Sequence, residues 1–380
     1  MSLHRDASSG DALRRRVPAT PFDQHPLLAI WEVTQACDLA CAHCRACATP
    51  SRDAAELTTD EGKHLLEQIA AMGTPLMVLT GGDPAKRPDL VELVSHGTRA
   101  GLTMAVTPSG TPLFTGELLE SLRDAGMQRL AVSVDGAAPE THDAFRGVRG
   151  SFAESERILR TANALGVPVQ VNTSLGPHNL DQIEAMADFV ASVRAVLWSV
   201  FIVVPTGRAT RSLLLPASRL EAALEQLATI AQRGGFDVKT TAAPQFRRVM
   251  LQHHERRSTV GILDDVDEAG VVKGPRGIND GVGFVFVSHR GEVFPSGFLP
   301  IAAGNVRDAS IADVYRGHPM FTQLRDLDAI GGKCGVCPFK RVCGGSRARA
   351  FAMTGDMMGE DPLCPYSPPG WNGGSAPPRE

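Results

Sequence analysis

An apolar run leads into three closely spaced cysteines in the stretch Pro26-Leu-Leu-Ala-Ile-Trp-Glu-Val-Thr34-Gln-Ala-Cys37-Asp-Leu-Ala-Cys41-Ala-His-Cys44. The first nine residues predict a buried strand, because a short apolar run that begins at a proline is typical of strands inside parallel sheets. The cysteines follow this strand directly. In α/β barrels the loops at the carboxyl ends of the strands carry the chemistry. The stretch therefore predicts a parallel sheet with a site at one edge.

The rest of the chain alternates strand-like and helix-like periodicity, which is typical of a parallel α/β fold. Predicted strands lie at residues 27–33, 75–79, 102–107, 129–134, 168–173 and 196–203. Each is followed by a predicted amphipathic helix, at residues 59–72, 88–100, 117–125, 152–165, 180–193 and 217–233. Six such units build a partial (β/α)6 TIM-like barrel or, as the alternative, an open doubly wound sheet.

Composition narrows the class of protein. The chain has 380 residues, of which 43% are hydrophobic and 21% charged, enough for one barrel-sized domain and a smaller one. A net charge of −4 provides no basic excess for nucleic acid, and the longest apolar stretch, residues 195–204, is too short to span a membrane. The N-terminal arginines precede no apolar signal segment. Eight cysteines then favour metal ligation in a reducing, cytoplasmic compartment over disulfides.

The cysteine triplet has the spacing C-x3-C-x2-C, at Cys37, Cys41 and Cys44. Three thiolates hold three irons of a 4Fe-4S cubane and leave the fourth iron open, whereas a closed cluster or a structural zinc site needs four ligands. Buried thiols, half of a zinc site, or a disulfide with one cysteine left over are the alternatives. Cys47 lies close by and is predicted to be a buried thiol, because its ligation would close the open iron.

A second predicted strand ends in the turn Gly81-Gly82-Asp83-Pro84, whose glycines let backbone approach a ligand closely. With the cysteine triplet, this turn resembles the signature of the radical S-adenosylmethionine (SAM) enzymes, over residues 25–235. The resemblance implies a partial barrel and a SAM-binding 4Fe-4S cluster on the triplet. It also implies that the glycine turn holds the SAM methionine ammonium, with Asp83 standing where the family carries Glu.

Polar residues also follow the later predicted strands, and the resemblance implies that they bind SAM. Hydroxyl, amide and carboxylate groups suit a ribose and an amino acid, although such residues are also common strand caps and turns. These candidates are Ser109, Ser133, Asp135 and Asn172. Arg146 is predicted to pair with the SAM carboxylate or to lie on the surface at a helix. His43 occupies the family's adenine-packing position and is predicted to pack rather than act as an acid or base. No catalytic acid or base is predicted.

A second group of cysteines lies in the C-terminal part of the sequence, at Cys334, Cys337, Cys343 and Cys364. Four thiolates make a fully ligated site. Taken by itself, this group is compatible with either zinc or an iron–sulfur cluster. Together with the first motif, the group resembles the SPASM extension of radical SAM enzymes, which implies an auxiliary 4Fe-4S cluster. Ser296 and Ser346 stand where relatives with two auxiliary clusters carry cysteines. One auxiliary cluster is therefore expected.

The resemblance also divides the chain. It implies disordered residues 1–24, a radical SAM barrel at 25–235, an irregular bridge at 236–290 that covers the active site, an auxiliary-cluster domain at 291–366 and a flexible tail at 367–380. His253, His254, Arg256 and Arg257 fall in the bridge. The histidine pair is predicted to lie on a solvated helix face, with ligation of a substrate iron as the alternative.

The implied activity is oxidative. Reductive SAM cleavage to a 5′-deoxyadenosyl radical allows hydrogen abstraction from an unactivated carbon, with ferredoxin or flavodoxin as electron donor. The segments Val204-Pro-Thr-Gly-Arg208 and Cys343-Gly-Gly-Ser-Arg-Ala-Arg349 are similar to radical SAM proteins of haem d1 and alternative haem biosynthesis, which implies a tetrapyrrole substrate modified at its propionates. Maturation of a ribosomal peptide is the alternative. An iron–sulfur or zinc scaffold or redox sensor is the non-enzymatic alternative, which the glycine turn argues against.

Overall fold

The computed structural model describes residues 22–255, 271–272 and 276–373. The predicted disorder at the N-terminus and in the tail lies mostly outside these residues, as do Arg256 and Arg257. The strands are β1 (Leu28–Glu32), β2 (Leu76–Thr80), β3 (Thr103–Val106), β4 (Arg129–Ser133), β5 (Val169–Leu175), β6 (Leu197–Ile202), β7 (Asp237–Thr241), β8 (Phe284–Val287), β9 (Glu292–Phe294) and β10 (Gly304–Asn305). The helices are α1 (Thr59–Ala71), α2 (Leu90–Arg99), α3 (Gly116–Asp124), α4 (Pro139–Arg146), α5 (Ser151–Ala164), α6 (Ile183–Ser192), α7 (Ala217–Arg233), α8 (Gln245–Glu255), α9 (Ile311–Gly317), α10 (Pro319–Arg325), α11 (Gly332–Gly335) and α12 (Arg347–Thr354).

All of these strands join one open sheet within the described residues, in the order β10-β9-β8-β1-β2-β3-β4-β5-β6-β7. Neighbouring strands from β8 to β7 pair in parallel, and β9 and β10 extend the sheet as antiparallel strands. Helices α1 to α7 connect successive parallel strands, which is the partial-barrel arrangement that the sequence predicted. The described sheet is not closed, since no pairing joins β10 to β7.

The core lies between the sheet and these helices. Trp31 of β1 and Trp198 of β6 are fully buried within it. Helix α1 begins at a capping box in which Thr58 and Glu61 satisfy each other's backbone amides, and it buries Leu65 and Leu66 against the sheet. The parallel strands pair in a regular register, in which Glu32 lies opposite Thr80 and Ser133 lies opposite Asn172. The carboxyl ends of the parallel strands consequently meet at one edge.

The six predicted strands and their helices are confirmed, with ends shifted by a few residues. The prediction that residues 236–290 form an irregular bridge was wrong in its described parts, because they include strand β7, helix α8 and strand β8. Strand β7 reads Asp-Val-Lys-Thr-Thr and lies at the sheet edge without buried residues, so no apolar run announces it. Helix α4 was also missed. The ring of His253 lies on α8 within hydrogen-bond distance of Gln232 and Thr229.

The C-terminal part packs back onto the sheet rather than standing apart. Strand β8 pairs with β1, and the hydroxyl of Tyr315 donates to the carbonyl of Phe22 over 2.7 Å. A second core of apolar side chains, including Leu299, Leu324 and Ala348, lies beneath the last helices. None of the helices in the described part of the chain has the length and apolar character that a bilayer-spanning helix needs.

Candidate active site

The loop after β1 gathers the first three cysteines. The amide of Cys37 donates to the carbonyl of Thr49 over 2.7 Å, and the amide of Cys44 donates to the carbonyl of Cys41 over 3.3 Å. The loop therefore closes on itself. Cys37 and Cys41 are buried and form a small cluster with Leu39, against which Cys44 packs. Three soft thiol donors share one compact turn at the carboxyl end of β1, a donor set suited to an iron–sulfur cluster.

The prediction for Cys47 was wrong, because its side chain is exposed rather than buried. The chain adopts a left-handed conformation at this residue, with φ of 49°. Cys47 is thus accessible to solvent, unlike the buried Cys37 and Cys41.

The glycine turn after β2 lies directly against the cysteine loop. The amide of Gly82 donates to the carbonyl of Thr34 over 2.8 Å, and the amide of Asp83 donates to the carbonyl of Ala36 over 2.6 Å. A Cβ added to Gly81 would lie 2.5 Å from the Thr34 carbonyl oxygen, and one added to Gly82 would lie 2.4 Å from that of Ala36. Backbone atoms cannot yield to such contacts, so only glycine allows this approach.

Ser109 joins the glycine turn to the first cysteine. Its hydroxyl donates to the carbonyl of Gly82 over 2.7 Å and lies 3.3 Å from the Sγ atom of Cys37. Asp83 is fully buried beside it and accepts hydrogen bonds from the Thr111 hydroxyl at 2.6 Å and the Ala85 amide at 3.1 Å. Burial raises the pKa of the Asp83 carboxyl. The carboxylate thus organises the turn, whereas its contact with SAM stays a prediction.

Asp135 and Arg146, both predicted SAM contacts, form an ion pair with each other. The Nη2 atom of Arg146 lies 2.5 Å from Oδ2 of Asp135, whose Oδ1 accepts from the amide of Ser174 over 2.6 Å. Burial opposes ionisation of Asp135, but the charge of Arg146, together with smaller contributions that include the Ser174 amide, holds the pKa of Asp135 below its usual value. Arg146 also directs Nη1 toward Cys41, 3.8 Å from its Sγ atom.

His43 packs in a stack of rings. It lies face to face with Phe145 at 4.3 Å between ring centroids, and Phe145 lies on His178 at 3.8 Å. Burial lowers the pKa of His43 to about 4, so the ring is neutral near pH 7. The sequence reasoning missed Phe145 and His178. The turn Gly176-Pro-His-Asn179 follows β5, so the strand-end rule applied to Ser109 also points to His178.

The segment after β6 covers the cysteine loop. The amide of Arg208 donates to the carbonyl of Cys44 over 3.0 Å, and Gly207 approaches so closely that an added Cβ would lie 2.4 Å from the Arg45 carbonyl oxygen. The Nε and Nη2 atoms of Arg208 are buried without a hydrogen-bond partner among the described residues. Arg208 was not predicted as a site residue, although it lies at a strand end in the quoted Pro-Thr-Gly-Arg segment.

Ser133 and Asn172 lie at the same sheet edge, but nothing joins them to the cysteine loop. They occupy paired positions of β4 and β5, and the Oδ1 atom of Asn172 accepts from the side chain of Gln170 over 2.7 Å. In the described part of the chain, neither side chain hydrogen-bonds to the loop. Their contact with SAM therefore stays a prediction.

The C-terminal cysteines come together around one cavity. Its lining includes all four thiols, Cys334, Cys337, Cys343 and Cys364. The amide of Gly345 donates to the Sγ atom of Cys343, and that of Asp361 to the Sγ atom of Cys334, each over 3.4 Å. Burial raises the pKa of all four thiols, that of Cys337 to about 12, because it penalises the charged thiolate form.

Across the residues that the structure describes, no three His, Cys, Asp or Glu side chains converge closely enough to hold a single metal ion. A cubane requires no such convergence, because its irons occupy separate corners. Ser296 and Ser346 use their hydroxyls locally. Ser346 caps α12 by accepting from the amide of Arg349 over 3.2 Å, and Ser296 accepts from the amide of Phe298 over 3.3 Å.

An open parallel barrel with a C-x3-C-x2-C loop and a glycine turn at its strand ends defines a class of enzymes that use an iron–sulfur cluster with SAM. The comparisons identify the family. The sequence model of the radical SAM superfamily matches residues 31–190. The chain is 40% identical to an AdoMet-dependent heme synthase of Methanosarcina barkeri, over 90% of this chain and 97% of that protein. The chain belongs to the radical SAM superfamily and is a radical SAM enzyme.

Two further comparisons agree. An AdoMet-dependent heme synthase of Oleidesulfovibrio alaskensis is 39% identical, over 93% of this chain and 91% of that protein. The structure of Streptococcus suis SuiB bound to the precursor peptide SuiA superposes with a TM-score of 0.69 and 17% identity, over 90% of this chain and 76% of that one. At this identity the likeness to SuiB concerns the fold alone.

Replacing Gly82 by alanine is expected to separate the glycine turn from the cysteine loop. The added Cβ would lie 2.4 Å from the Ala36 carbonyl oxygen, so the turn must move, at a cost of about 1–3 kcal/mol in the free energy of unfolding. SAM affinity, measured by titration calorimetry on the cluster-loaded protein, should fall. The control is Gly116→Ala, where the added Cβ meets only a methyl group at 3.8 Å. Wild-type SAM affinity in Gly82→Ala would contradict the prediction.

Replacing Asp135 by asparagine is expected to destabilise the fold. The change leaves the guanidinium of Arg146 beside a neutral amide in a buried position, which costs about 3–5 kcal/mol. Urea unfolding followed by circular dichroism measures the loss. Asp124→Asn breaks the exposed ion pair with Arg123 and should change stability little. Equal unfolding midpoints for the two variants would show that the buried pair has no special weight.

Proposed function

We propose that this radical SAM enzyme oxidatively decarboxylates propionate side chains of a tetrapyrrole. The observation that carries the proposal is the 40% identity to an AdoMet-dependent heme synthase along nearly the whole length of both chains. Each converted propionate loses carbon dioxide, one hydrogen atom and one electron, which leaves a vinyl group. The enzyme therefore needs a hydrogen abstractor, a carboxylate-binding group and an electron acceptor.

The hydrogen abstractor would be generated at the carboxyl ends of the parallel strands. Cys37, Cys41 and Cys44 would hold a 4Fe-4S cluster, and the glycine turn with Ser109 would bind SAM beside it. When bound, the cluster and SAM supply a radical that removes hydrogen from an unactivated carbon. The chain's own part is positional, since Ser109 links the turn to Cys37 and the stacked rings of His43, Phe145 and His178 pack beside the cysteine loop.

Arg208 would recognise the substrate carboxylate. Its backbone is tied to the cysteine loop through Cys44, and two of its guanidinium nitrogens are buried and unused among the described residues. A guanidinium binds a carboxylate bidentately, and a buried donor without a partner gains most from one. Arg146 is unsuited to this role because Asp135 already neutralises it. A propionate next to Arg208 would lie beside the cysteine loop, where hydrogen abstraction is expected.

The electron would be received at the C-terminal site. Cys334, Cys337, Cys343 and Cys364 line one cavity and would hold a closed auxiliary 4Fe-4S cluster. The hydroxyls of Ser296 and Ser346 are engaged locally, which fits the expectation of one auxiliary cluster rather than two. Residues 25–235 would form the SAM-binding unit and 291–366 the auxiliary-cluster unit, with 236–290 over the active site.

Two partners complete the proposal. An external ferredoxin or flavodoxin would reduce the first cluster, and the protein would work in the cytoplasm. All eight cysteines are free thiols, which supports a reducing compartment, where thiolates remain available as cluster ligands. The acidic net charge of −4 supports the expectation that nucleic acid is not a partner.

The test is anaerobic turnover of the reconstituted full-length protein with SAM, dithionite and an iron porphyrin that carries propionates. Mass spectrometry should show a product lighter by the mass of formic acid for each converted propionate, with 5′-deoxyadenosine formed alongside. Arg208→Gln should raise KM for the porphyrin while SAM cleavage without substrate is retained. Arg160→Gln, which breaks an ion pair with Glu156 on the surface of α5, is the matched control. SAM cleavage with an unchanged porphyrin would overturn the substrate assignment and leave the radical SAM chemistry standing.

A peptide substrate is the second candidate. A PqqA peptide cyclase of Rhodopseudomonas palustris favours it, because that protein is 30% identical, over 90% of this chain and 88% of its own length. The same turnover assay decides between them when short peptides encoded beside the gene replace the porphyrin. A crosslinked or otherwise modified peptide, together with an untouched porphyrin, would select the peptide function.

A further inference from the structure

Helix α12 carries two buried arginines that differ in their counter-charge. Arg349 forms a bidentate ion pair with Asp361, through Nε–Oδ1 at 2.9 Å and Nη2–Oδ2 at 2.5 Å. Arg347 is equally buried, at 1% exposure, but donates only to backbone carbonyls, including that of Met357 at 3.0 Å. No carboxylate pairs with Arg347 within the described ranges. Its Nη2 atom has no hydrogen-bond partner there.

This unused nitrogen lies next to the C-terminal cysteines. A Cβ added to Gly345 would lie 2.6 Å from Nη2 of Arg347 and 2.9 Å from Sγ of Cys334, so the two atoms face each other across the glycine. Gly345 has no side chain that would fill the space beside these two atoms.

A buried guanidinium without a counter-charge is costly, because carbonyl groups supply hydrogen bonds but no negative charge. Two other cations at the cavity are neutralised by carboxylates, since Arg248 pairs with Glu221 at 2.7 Å and Lys340 pairs with Asp328 at 3.2 Å. Lys333 also lines the cavity and donates through Nζ to the carbonyl of Cys364. An anion bound at Cys334 would supply the counter-charge that Arg347 lacks. A cubane with four thiolate ligands is such an anion and gains one more negative charge on reduction.

We propose that Arg347 is the counter-ion and hydrogen-bond donor of the auxiliary cluster, and that its charge raises the reduction potential of that cluster. The inference rests on the proposed function, in that the four C-terminal cysteines must hold an iron–sulfur cluster. A positive charge beside the cluster stabilises the reduced state more than the oxidised state, because the reduced state is more negative. In this role Arg347 acts on the auxiliary cluster through its charge and not on the substrate.

The test is a redox titration of the reconstituted full-length protein, followed by electron paramagnetic resonance. Arg347→Gln should lower the equilibrium constant for reduction of the auxiliary cluster about tenfold, which is 59 mV for one electron. The first cluster serves as the internal reference and should keep its signal and its response to SAM. Lys340→Gln removes one charge from the rim of the same cavity and is the control. Arg347→Lys keeps the charge and should lie between Arg347→Gln and the wild type.

The outcomes separate the inference from the function beneath it. An unchanged potential in Arg347→Gln, or an equal shift in Lys340→Gln, would overturn the inference alone. If Arg347→Gln loses the second cluster while Arg347→Lys retains it, the charge is required to hold the anion, which supports the proposal. Loss of the second cluster in both variants would overturn it, since the charge would then be immaterial. Iron for a single cubane in the wild type, or zinc at the C-terminal cysteines, would overturn the auxiliary cluster together with this inference.

Discussion

The triple variant Cys37→Ala, Cys41→Ala and Cys44→Ala is expected to lose all reductive cleavage of SAM and about half of its iron after reconstitution. The three thiols lie in one turn that closes on itself, and no other described cysteine lies within that cluster of buried residues. Without these three thiols, nothing would hold the proposed cluster beside the SAM site. The measurement is 5′-deoxyadenosine released under dithionite, together with the iron content of the purified protein.

The control for the triple variant is Cys47→Ala. Cys47 belongs to the same loop, but its side chain is exposed. This variant should keep both iron and SAM cleavage at the wild-type level. Release of 5′-deoxyadenosine by the triple variant would refute the assignment of the ligands, and loss of activity in Cys47→Ala would show that the loop contributes a fourth thiol.

Replacing Cys343 by alanine is expected to uncouple SAM cleavage from product formation. Cys343 lines the C-terminal cavity with the other three thiols, so its loss opens the proposed electron acceptor. The first cysteine loop lies on a different element of the fold, at the end of β1. The variant should therefore release 5′-deoxyadenosine at close to the wild-type rate while oxidised product falls below detection.

The assay for this variant follows both products in one anaerobic turnover reaction, with thermal unfolding as the check on folding. Val336→Ala is the matched control, because Val336 lies between two of the cysteines but is 60% exposed and points to solvent. It should leave both products unchanged. Undiminished oxidised product from folded Cys343→Ala would show that the electron leaves by another route.

Much of the fold follows from local patterns. The runs around Trp31 and Trp198 are apolar because these strands are buried on both faces, so periodicity predicted them. The same reasoning failed for β7, which is the last strand at one side of the sheet and whose residues are exposed or only partly buried, so its sequence has no apolar run. Their position directly after a strand also predicted that the glycine turn and Ser109 belong to the site, since the carboxyl ends of parallel strands lie on the same side of the sheet.

The candidate site shows the limit of that reasoning. Asp135 and Arg146 were each predicted to meet SAM, yet they neutralise each other across 11 positions of sequence. Stacking of His43 on Phe145 and His178 joins the cysteine loop, helix α4 and the turn after β5. No local pattern reports which charge or ring lies opposite which, because such pairs depend on side-chain directions after packing.

The sequence by itself determined the chemistry of this protein. Ligand type and spacing at Cys37, Cys41 and Cys44 are properties of a short stretch, and a short stretch keeps its spacing in any fold. Only the tertiary structure decided the electrostatics. Arg347 and Arg349 are two residues apart in one helix. Arg349 pairs with Asp361, whereas Arg347 lies beside Cys334 and pairs with no carboxylate among the described residues. Counter-charge is a matter of distance in space, which packing alone sets.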